Sequence, residues 1–205
     1  EITDSGKFEI EAPDVKVSYY SKKISEIGKG EIPKGVNFVE TAVSNIILKN
    51  KLEVSGLRIS TRSEFSSQFG FGSSSASTVC VVKSISEVFG LKLSKKELFD
   101  VAFKTVLDVQ GKGSGFDVAA GVWGETLYFF TGGKIVEPLN LKELPLIVGY
   151  TGVKADTMTL VNQVSGKAEK YPEVINGIYD LIEKLVDCAK PTMVKDGKPF
   201  EATST

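Results

Sequence analysis

The sequence contains no histidine, only two cysteines and one tryptophan, and no marked excess of either charge. Without histidine, Ser-His-Asp and Cys-His catalysis and histidine-ligated zinc are excluded. Acid–base chemistry must therefore use Asp, Glu, Lys, Tyr or water. The formal net charge of −1 and the lack of a basic block argue against nucleic acid as the main partner. No apolar run reaches membrane-spanning length, and we expect neither a signal nor a transit segment.

The two cysteines, Cys80 and Cys188, both fall in helix-like apolar patterns. We expect buried thiols in a reducing compartment, the cytoplasm, rather than a disulfide or a metal pair. The 205 residues suffice for one or two domains with a core of their own. Strands, helices and hairpins are mixed along the chain, which predicts an α+β fold rather than a doubly wound parallel sheet.

Apolar periodicity predicts the main elements. Alternating patterns predict strands at Phe8–Ala12, Val15–Tyr20 and Leu57–Arg62, and a hairpin of Glu125–Phe130 and Lys134–Val136 around Thr131–Gly133. The apolar run Leu144–Tyr150 predicts a central strand. Helical spacing predicts helices from Asn37, after Ser77, from the capping box at Ser94 and from Tyr171. The last helix should turn one apolar face to the core: Val174, Ile178, Leu181, Ile182 and Leu185.

The most informative stretch is the Gly-Ser loop Gly70-Phe71-Gly72-Ser73-Ser74-Ser75-Ala76-Ser77, which runs into an apolar helix. Glycines let a backbone take positive φ and approach a ligand closely. The first N–H groups of a helix have no internal partner, and the helix dipole adds positive charge there, so such a loop predicts a phosphate site. An ordinary Ser cap after a Gly turn is the alternative, and the whole octapeptide favours phosphate. It matches neither the P-loop nor the GxGxxG pattern.

A second glycine-rich stretch runs from Gln110 to Gly121 and contains Gly111, Gly113 and Gly115, followed by Asp117. Three glycines in five positions are more than a helix end requires. On spacing alone, Asp117 is equally consistent with a helix cap and a catalytic carboxylate. Further on, the pattern of Thr151–Thr157 predicts a polar turn before a helix. This pattern is equally consistent with a ligand site and with a plain helix cap.

These two stretches together resemble the motifs of the GHMP kinases. The first is similar to the Gly-Leu-Gly-Ser-Ser-Ala phosphate loop of that superfamily. The second stretch contains the sequence Gly-Ser-Gly-Phe-Asp-Val-Ala-Ala, which begins at Gly113 and is followed by Trp123-Gly124. This motif is most similar to that of phosphomevalonate kinases of the yeast and archaeal kind, and next to that of mevalonate kinases. Thr151-Gly152 resembles a segment that both groups share. The resemblance covers roughly residues 36 to 165.

The resemblance implies an N-terminal GHMP domain of the ribosomal protein S5 domain 2-like fold at 1–140, and part of a C-terminal α+β domain at 141–205. It implies a phosphotransferase of isoprenoid precursor synthesis that moves the γ-phosphoryl of ATP to 5-phosphomevalonate, with mevalonate as the alternative acceptor. ATP and Mg²⁺ are the implied cofactors. The partners are a small-molecule substrate and neither nucleic acid nor membrane. The oligomeric state stays open, with a homodimer as one option.

The resemblance also implies roles for particular residues. Asp117 and Lys112 are the catalytic candidates, although a solvated surface lysine is an equally good reading of Lys112. The remaining candidates are Gly70, Gly72, Ser73, Ser74, Ser75 and Ala76 for ATP; Ser114, Gly115, Thr151, Gly152 and Lys154 for the substrate; and Ser74 with Asp108 for the metal.

The family's Glu that often helps hold Mg²⁺, before the second motif, has no clear match, and Asp108 is the nearest carboxylate. Two further features of the family have no counterpart in this chain. They are the early strand whose lysine is often placed near the transferred phosphate, and the Gly-rich C-terminal loop. Two hypotheses therefore stay open: an active small-molecule kinase, and a fragment or degenerate relative with the kinase fold that binds a nucleotide without turnover. A decarboxylase of the same superfamily is a third, weaker alternative.

Overall fold

The computed structural model describes residues 1–64, 66–141, 146–153 and 156–195. Five strands and six α-helices follow one another in these ranges: β1 (Lys7–Ala12), β2 (Val17–Lys23), α1 (Asn37–Asn50), β3 (Leu57–Ser60), α2 (Ser73–Val88), α3 (Lys95–Gln110), α4 (Phe116–Trp123), β4 (Leu127–Phe129), β5 (Val136–Pro138), α5 (Thr157–Lys170) and α6 (Pro172–Lys195). This mixture confirms the predicted α+β class. None of the helices described here is both long and apolar enough to cross a membrane.

The chain divides into two units. Unit 1 comprises Glu1–Gly124 and Phe129–Val136, and unit 2 comprises Glu125–Tyr128 and Glu137–Thr205. The sheet of unit 1 has the order β2-β1-β3, with β1 antiparallel to β2 and parallel to β3. The predicted hairpin is confirmed, because β4 and β5 pair with each other around a 3-10 turn at Thr131–Gly133.

The core of unit 1 is built from the alternate residues of the strands and one face of each helix. Phe8 and Ile10 of β1 are fully buried, as the alternating pattern predicts. Helices α2 and α3 contact each other, and both of them contact α1 and α4. Their buried faces include Val43, Val82 and Phe99.

The stripe predicted after the Gly-Ser loop is confirmed as core at Val79, Val82 and Ile85, but Val88 near its end is exposed. The stripe after Ser94 is confirmed at Leu98, Val101, Ala102 and Thr105, and α3 begins with the expected Ser94–Glu97 capping box.

One buried ionic cluster was not marked by the sequence pattern. The Glu40 side chain on α1 is fully buried and accepts hydrogen bonds from Tyr20 (2.8 Å), Lys22 (2.7 Å) and the Gly28 backbone N–H (2.9 Å). Because a buried carboxylate is stable only when it is paired and hydrogen-bonded, these three donors explain why it is tolerated. The cluster fastens the segment after β2 to helix α1.

Three expectations are wrong for the described residues. Residues 146–150 form no strand, and Ile147 is fully exposed; Leu144 and Pro145 lie outside the described residues. The α6 residues expected in the core are about half exposed or more. Cys80 and Cys188 are exposed. The reason is common to all three: periodicity gives the side of an element that is apolar, but burial also requires a second surface to cover that side.

Candidate active site

Helix α2 begins directly at the Gly-Ser loop. Its N-cap is Gly72, which has a φ of 70° in the left-handed region, and no side chain caps this end of the helix. Glycine takes this conformation without the steric cost that other residues carry. The N–H groups of Ser73, Ser74 and Ser75 occupy the first turn, where an α-helix provides no internal acceptor. These N–H groups are therefore available to a ligand, and their binding of phosphate stays a prediction.

The structure brings the two sequence motifs into contact. The Ser75 hydroxyl donates a hydrogen bond to Asp117 Oδ2 at 2.5 Å. Ser75 is only 3% exposed, and a Cβ placed on Gly72 would lie 3.6 Å from the Asp117 Cβ. The Asp117 side chain is half-buried in the first turn of α4. A carboxylate is therefore fixed beside the start of α2, where a bound phosphate would meet the loop.

A glycine turn places Asp117 at this point. Gly115 is the N-cap of α4 with a φ of 88°, and a Cβ on it would lie 2.9 Å from the Phe103 ring. The Ser114 carbonyl accepts a hydrogen bond from the Gly132 N–H at 2.8 Å. Both residues were expected to bind substrate, and here they shape the turn that leads to Asp117. Their substrate role stays a prediction.

Asp108 lies on α3 and is held by its neighbours. Its Oδ2 accepts hydrogen bonds from Asn45 (2.8 Å) and Lys104 (2.5 Å). Burial raises the pKa of Asp108, but the hydrogen bonds from Lys104 and Asn45 outweigh it and leave that pKa below the ordinary value. In the part of the chain that is described, three or more His, Cys, Asp or Glu side chains nowhere cluster as metal ligands. Among the described residues, a cation at the loop would thus have at most two such side chains as ligands, and hydroxyl, water and ligand oxygens would supply the rest.

The other predicted residues are spread over both units. Lys112 follows α3 in unit 1 and is exposed. Thr151 and Gly152 belong to unit 2, where the Thr151 hydroxyl donates to the Val153 carbonyl at 3.4 Å. Lys154 lies outside the described residues. The structure thus unites the Gly-Ser loop with Asp117 and leaves the roles of these four residues as predictions.

A cavity of about 470 Å³ lies between β3 and α2, and no motif in the sequence marked it. Its wall includes Arg62, Ser73, Ala76, Ser77 and Cys80. One end of the cavity therefore reaches the first turn of α2. The signal that could have indicated it is weak: one side of α2 carries small residues, with serine or alanine at 73, 76, 77 and 84.

Comparison with known proteins shows which family has a sequence similar to the segment that holds the Gly-Ser loop and Asp117. Residues 37–125 match the family model described as "GHMP kinases N terminal domain". The matched range contains both the Gly-Ser loop and Asp117. This part of the chain is thus similar to a GHMP kinase N-terminal domain, which supports the superfamily that the motifs resemble.

The curated relatives indicate one kind of kinase within this superfamily. The mevalonate kinase of Pyrococcus horikoshii is 36% identical over 196 residues, which is 93% of this chain and 58% of the relative. That of Pyrococcus abyssi is 35% identical over 200 residues, or 95% of this chain and 59% of the relative. The chain therefore spans less than two thirds of these relatives. They are named mevalonate kinase, so phosphomevalonate kinases as the closest group are not supported.

Solved structures show the same fold. The Methanococcus jannaschii mevalonate kinase aligns with a TM-score of 0.68 at 19% identity, over 91% of this chain and 61% of that one. A D-glycero-D-manno-heptose 1-phosphate kinase from Bacteriodes thetaiotaomicron aligns with a TM-score of 0.59 at 28% identity, over 69% of this chain and 47% of that one. The identity to the first is low enough that it supports the fold alone.

Proposed function

We propose that this chain carries the phosphate-binding and acceptor-activating part of a mevalonate kinase, which transfers the γ-phosphoryl of ATP to the mevalonate hydroxyl. The observation that carries the proposal is the Ser75–Asp117 hydrogen bond, because it holds a carboxylate beside the loop that is built for phosphate. The GHMP match and the names of the relatives support the reaction class and the acceptor.

The start of α2 supplies the phosphate site. Phosphoryl transfer needs positioning and charge neutralisation more than covalent help from the protein. The N–H groups of Ser73, Ser74 and Ser75 point out of the helix end, where the dipole favours negative charge. Since Gly72 has no side chain, a phosphate oxygen can approach the backbone closely at this turn. These residues fit the β- and γ-phosphates of ATP.

The residues around the loop also fit Mg²⁺ bound together with ATP. Mg²⁺ prefers hard oxygen ligands and keeps several waters, so one hydroxyl and one carboxylate suffice beside phosphate oxygens. When bound, it neutralises charge on the phosphates. Ser74 remains our choice for the hydroxyl. Of the two carboxylates, Asp117 lies against the loop, whereas Asp108 is already engaged by Asn45 and Lys104. We keep Asp117 for proton transfer from the acceptor, and Asp108 as a metal ligand stays a prediction.

Asp117 is suited to act on the acceptor. An alcohol must lose its proton as its oxygen bonds to phosphorus, and a carboxylate within hydrogen-bond reach can accept that proton. The Ser75 hydroxyl occupies Oδ2 and so restricts the orientation of the carboxylate. A phosphate acceptor, as in phosphomevalonate, is ionised at neutral pH and needs no such base. If the activity requires the Asp117 carboxylate, the acceptor is therefore more consistent with mevalonate than with phosphomevalonate.

A coupled ADP-release assay tests this function. The protein would be given ATP and Mg²⁺ with mevalonate or 5-phosphomevalonate, beside Asp117→Asn and the exposed-carboxylate control Asp100→Asn. We expect release with mevalonate, a loss of about 100-fold or more in Asp117→Asn, and no loss in Asp100→Asn. Release with phosphomevalonate alone would overturn the acceptor. No release with either, while ATP still raises the melting temperature, would favour a nucleotide-binding module without turnover.

A further inference from the structure

Two backbone hydrogen bonds fix the register of the hairpin of β4 and β5. Each is 2.9 Å long, and they run from the Phe130 N–H to the Ile135 carbonyl, near the tip, and from the Leu139 N–H to the Thr126 carbonyl, at the base. Counting inward from both bonds puts Tyr128 directly opposite Glu137. Since side chains that lie directly opposite each other share one face of a sheet, these two residues form a cross-strand pair.

Two residues of α6 hold this cross-strand pair. The Tyr128 hydroxyl donates a hydrogen bond to Asp187 Oδ1 at 2.7 Å. The Lys190 ammonium forms an ion pair with Glu137 Oε2 at 2.5 Å and lies 4.0 Å from the centroid of the Tyr128 ring. Because residues three apart share one face of a helix, Asp187 and Lys190 contact the two strands together. We call these four side chains the quartet.

The quartet lies on a turn of α6 that lacks a backbone hydrogen bond. Pro191 is inside the helix, and proline has no N–H to donate to the carbonyl four residues earlier, which is that of Asp187. The backbone secures this turn less firmly than its neighbours. The contacts that Asp187 and Lys190 make with the hairpin therefore hold the part of α6 that most needs a side-chain attachment.

The quartet borders two of the three places where the chain passes from one unit to the other. Tyr128 and Glu137 belong to unit 2, whereas the next residues toward the tip, Phe129 and Val136, belong to unit 1. Within unit 1, the Phe129 ring packs edge to face on Phe99 of α3, with the ring centroids 6.3 Å apart. Consecutive residues of β4 are thus held by different helices. We call the two linkages, Tyr128–Phe129 and Val136–Glu137, the joint.

The tip of the hairpin is attached to the turn that carries Asp117. The Gly132 N–H donates to the Ser114 carbonyl at 2.8 Å. A Cβ on Gly133 would overlap the Phe99 ring, so the backbone of the tip lies directly against α3. The hairpin therefore connects the quartet at its base with the approach to the candidate catalytic carboxylate at its tip.

We propose that the quartet is a clamp: it makes α6 and the base of the hairpin one rigid piece and confines bending of the hairpin to the joint. A cross-strand pair that two side chains of one helix hold cannot twist unless the contacts on both strands break together. The third passage between the units, from Gly124 to Glu125, is a turn in which both residues have positive φ, 70° and 63°. Residues at the ends of elements are the ones that absorb changes of φ and ψ in hinges. This inference rests on contacts within each unit and does not depend on the identity of the acceptor.

Hydrogen exchange of two backbone amides tests the clamp, because they lie on either side of the joint. The Leu139 N–H is bonded at the base and the Phe130 N–H near the tip. Tyr128→Phe removes only the hydroxyl, and Lys190→Met removes the ammonium while keeping most of the side-chain length. Lys184→Met is the matched control, since Lys184 is exposed on the same helix and forms no ion pair in the described part of the chain.

We expect Tyr128→Phe and Lys190→Met each to speed exchange of the Leu139 N–H by at least about tenfold and that of the Phe130 N–H by less than about threefold, with no change in Lys184→Met. The double variant should gain less than the product of the two single gains, because the contacts act as one unit. Equal acceleration at both amides, or none at either in a chain that circular dichroism shows to be folded, would overturn the clamp. The same acceleration in Lys184→Met would assign the effect to the stability of α6 instead.

Relaxation dispersion of the backbone amides, which detects motion on the μs–ms timescale, tests the joint. In the unmodified protein we expect dispersion at Phe129 and Val136 and none at Tyr128 and Glu137. In Lys190→Met it should extend to the latter two residues, because the base of the hairpin is no longer clamped. Absence of dispersion from Phe129 and Val136, or its presence along the whole hairpin of the unmodified protein, would refute the assignment of the joint.

Discussion

Ser75 and Asp117 are 42 residues apart in the sequence, and their side chains share a hydrogen bond of 2.5 Å. Each residue belongs to a glycine-rich motif at the start of a helix, α2 for Ser75 and α4 for Asp117. The bond joins a helix end suited to phosphate with a carboxylate suited to accept a proton. Ser75 in this arrangement is a positioning residue, because it acts through Asp117.

Replacing Ser75 with alanine should separate positioning from binding. Without the hydroxyl, the Asp117 carboxylate keeps only the hydrogen bond that Oδ1 accepts from the Val118 N–H at 2.9 Å, so its orientation is less restricted. Misplacement of a reacting group by about 1 Å costs about 100-fold in rate. We expect kcat in Ser75→Ala to fall about 10- to 100-fold, with the KM for ATP changed less than about threefold. Steady-state kinetics at several ATP concentrations would measure both.

Ser86 offers a matched control for that variant. It lies on the same helix, is 2% exposed, and donates its hydroxyl to the Leu91 carbonyl at 2.7 Å. Ser75→Ala and Ser86→Ala should each lower the free energy of unfolding by about 1 kcal/mol, but Ser86→Ala should leave kcat unchanged. Equal losses of kcat in the two variants would show that Ser75 acts only on stability.

The buried Glu40 should contribute strongly to stability. Its removal in Glu40→Ala leaves Lys22 and Tyr20 without their acceptor, and breaking a buried ion pair on one side costs about 3–5 kcal/mol. Urea unfolding would measure this loss. Glu87→Ala is the control, because Glu87 forms an exposed pair with Lys83 at 3.1 Å, and such a pair contributes about 0–1 kcal/mol. A similar loss in both would refute the role of burial.

The same cluster should make stability sensitive to alkaline pH. Burial, and then the hydrogen bond to Glu40, raise the pKa of Tyr20 above 10.0. Burial lowers the pKa of Lys22, but its hydrogen bonds to Glu40 and Tyr20 outweigh this and raise that pKa above 10.5. Groups whose pKa is higher in the folded state stabilise it below their unfolded pKa, and this contribution disappears as the pH rises through the folded value.

The free energy of unfolding of the wild type should therefore fall as the pH rises above about 10. It should fall less steeply in Glu40→Gln, which lacks the carboxylate that raises both values. Urea titrations between pH 8 and pH 11, run on both proteins with Glu87→Gln as a surface control, would compare the slopes. Parallel curves for wild type and Glu40→Gln would contradict the assigned cause.

Gly115 should tolerate alanine worse than another glycine of positive φ. A Cβ at Gly115 would lie 2.9 Å from the Phe103 ring, whereas at Gly90, with a φ of 65°, it would meet open space. Gly90→Ala should therefore cost only the left-handed conformation, about 1–2 kcal/mol. Gly115→Ala should cost a further 1–3 kcal/mol or so from overpacking. Thermal unfolding would compare the two, and equal costs would exclude crowding at Phe103.

The sequence by itself determined the elements whose signals are local. Gly72 before three serines predicted the open start of α2, the Ser94–Glu97 pair predicted the start of α3, and alternation in β1 predicted the buried Phe8 and Ile10. These succeed because capping, glycine conformations and strand alternation depend on neighbours in the chain. The Gly-Ser loop could be selected for the same reason, whereas only the resemblance to the GHMP motifs favoured Asp117 as a catalytic carboxylate over a helix cap.

The tertiary structure alone decided which of these local features meet. No spacing rule relates Ser75 to Asp117, or Glu40 to Lys22 and Gly28, because these contacts arise when separate elements pack. Wrong expectations have the same origin. The α6 residues expected in the core fit a helix of 3.6-residue period, yet these five side chains lie exposed: Val174, Ile178, Leu181, Ile182 and Leu185. Periodicity fixes the direction of a side chain, whereas burial, pairing and pKa depend on what the fold brings against it.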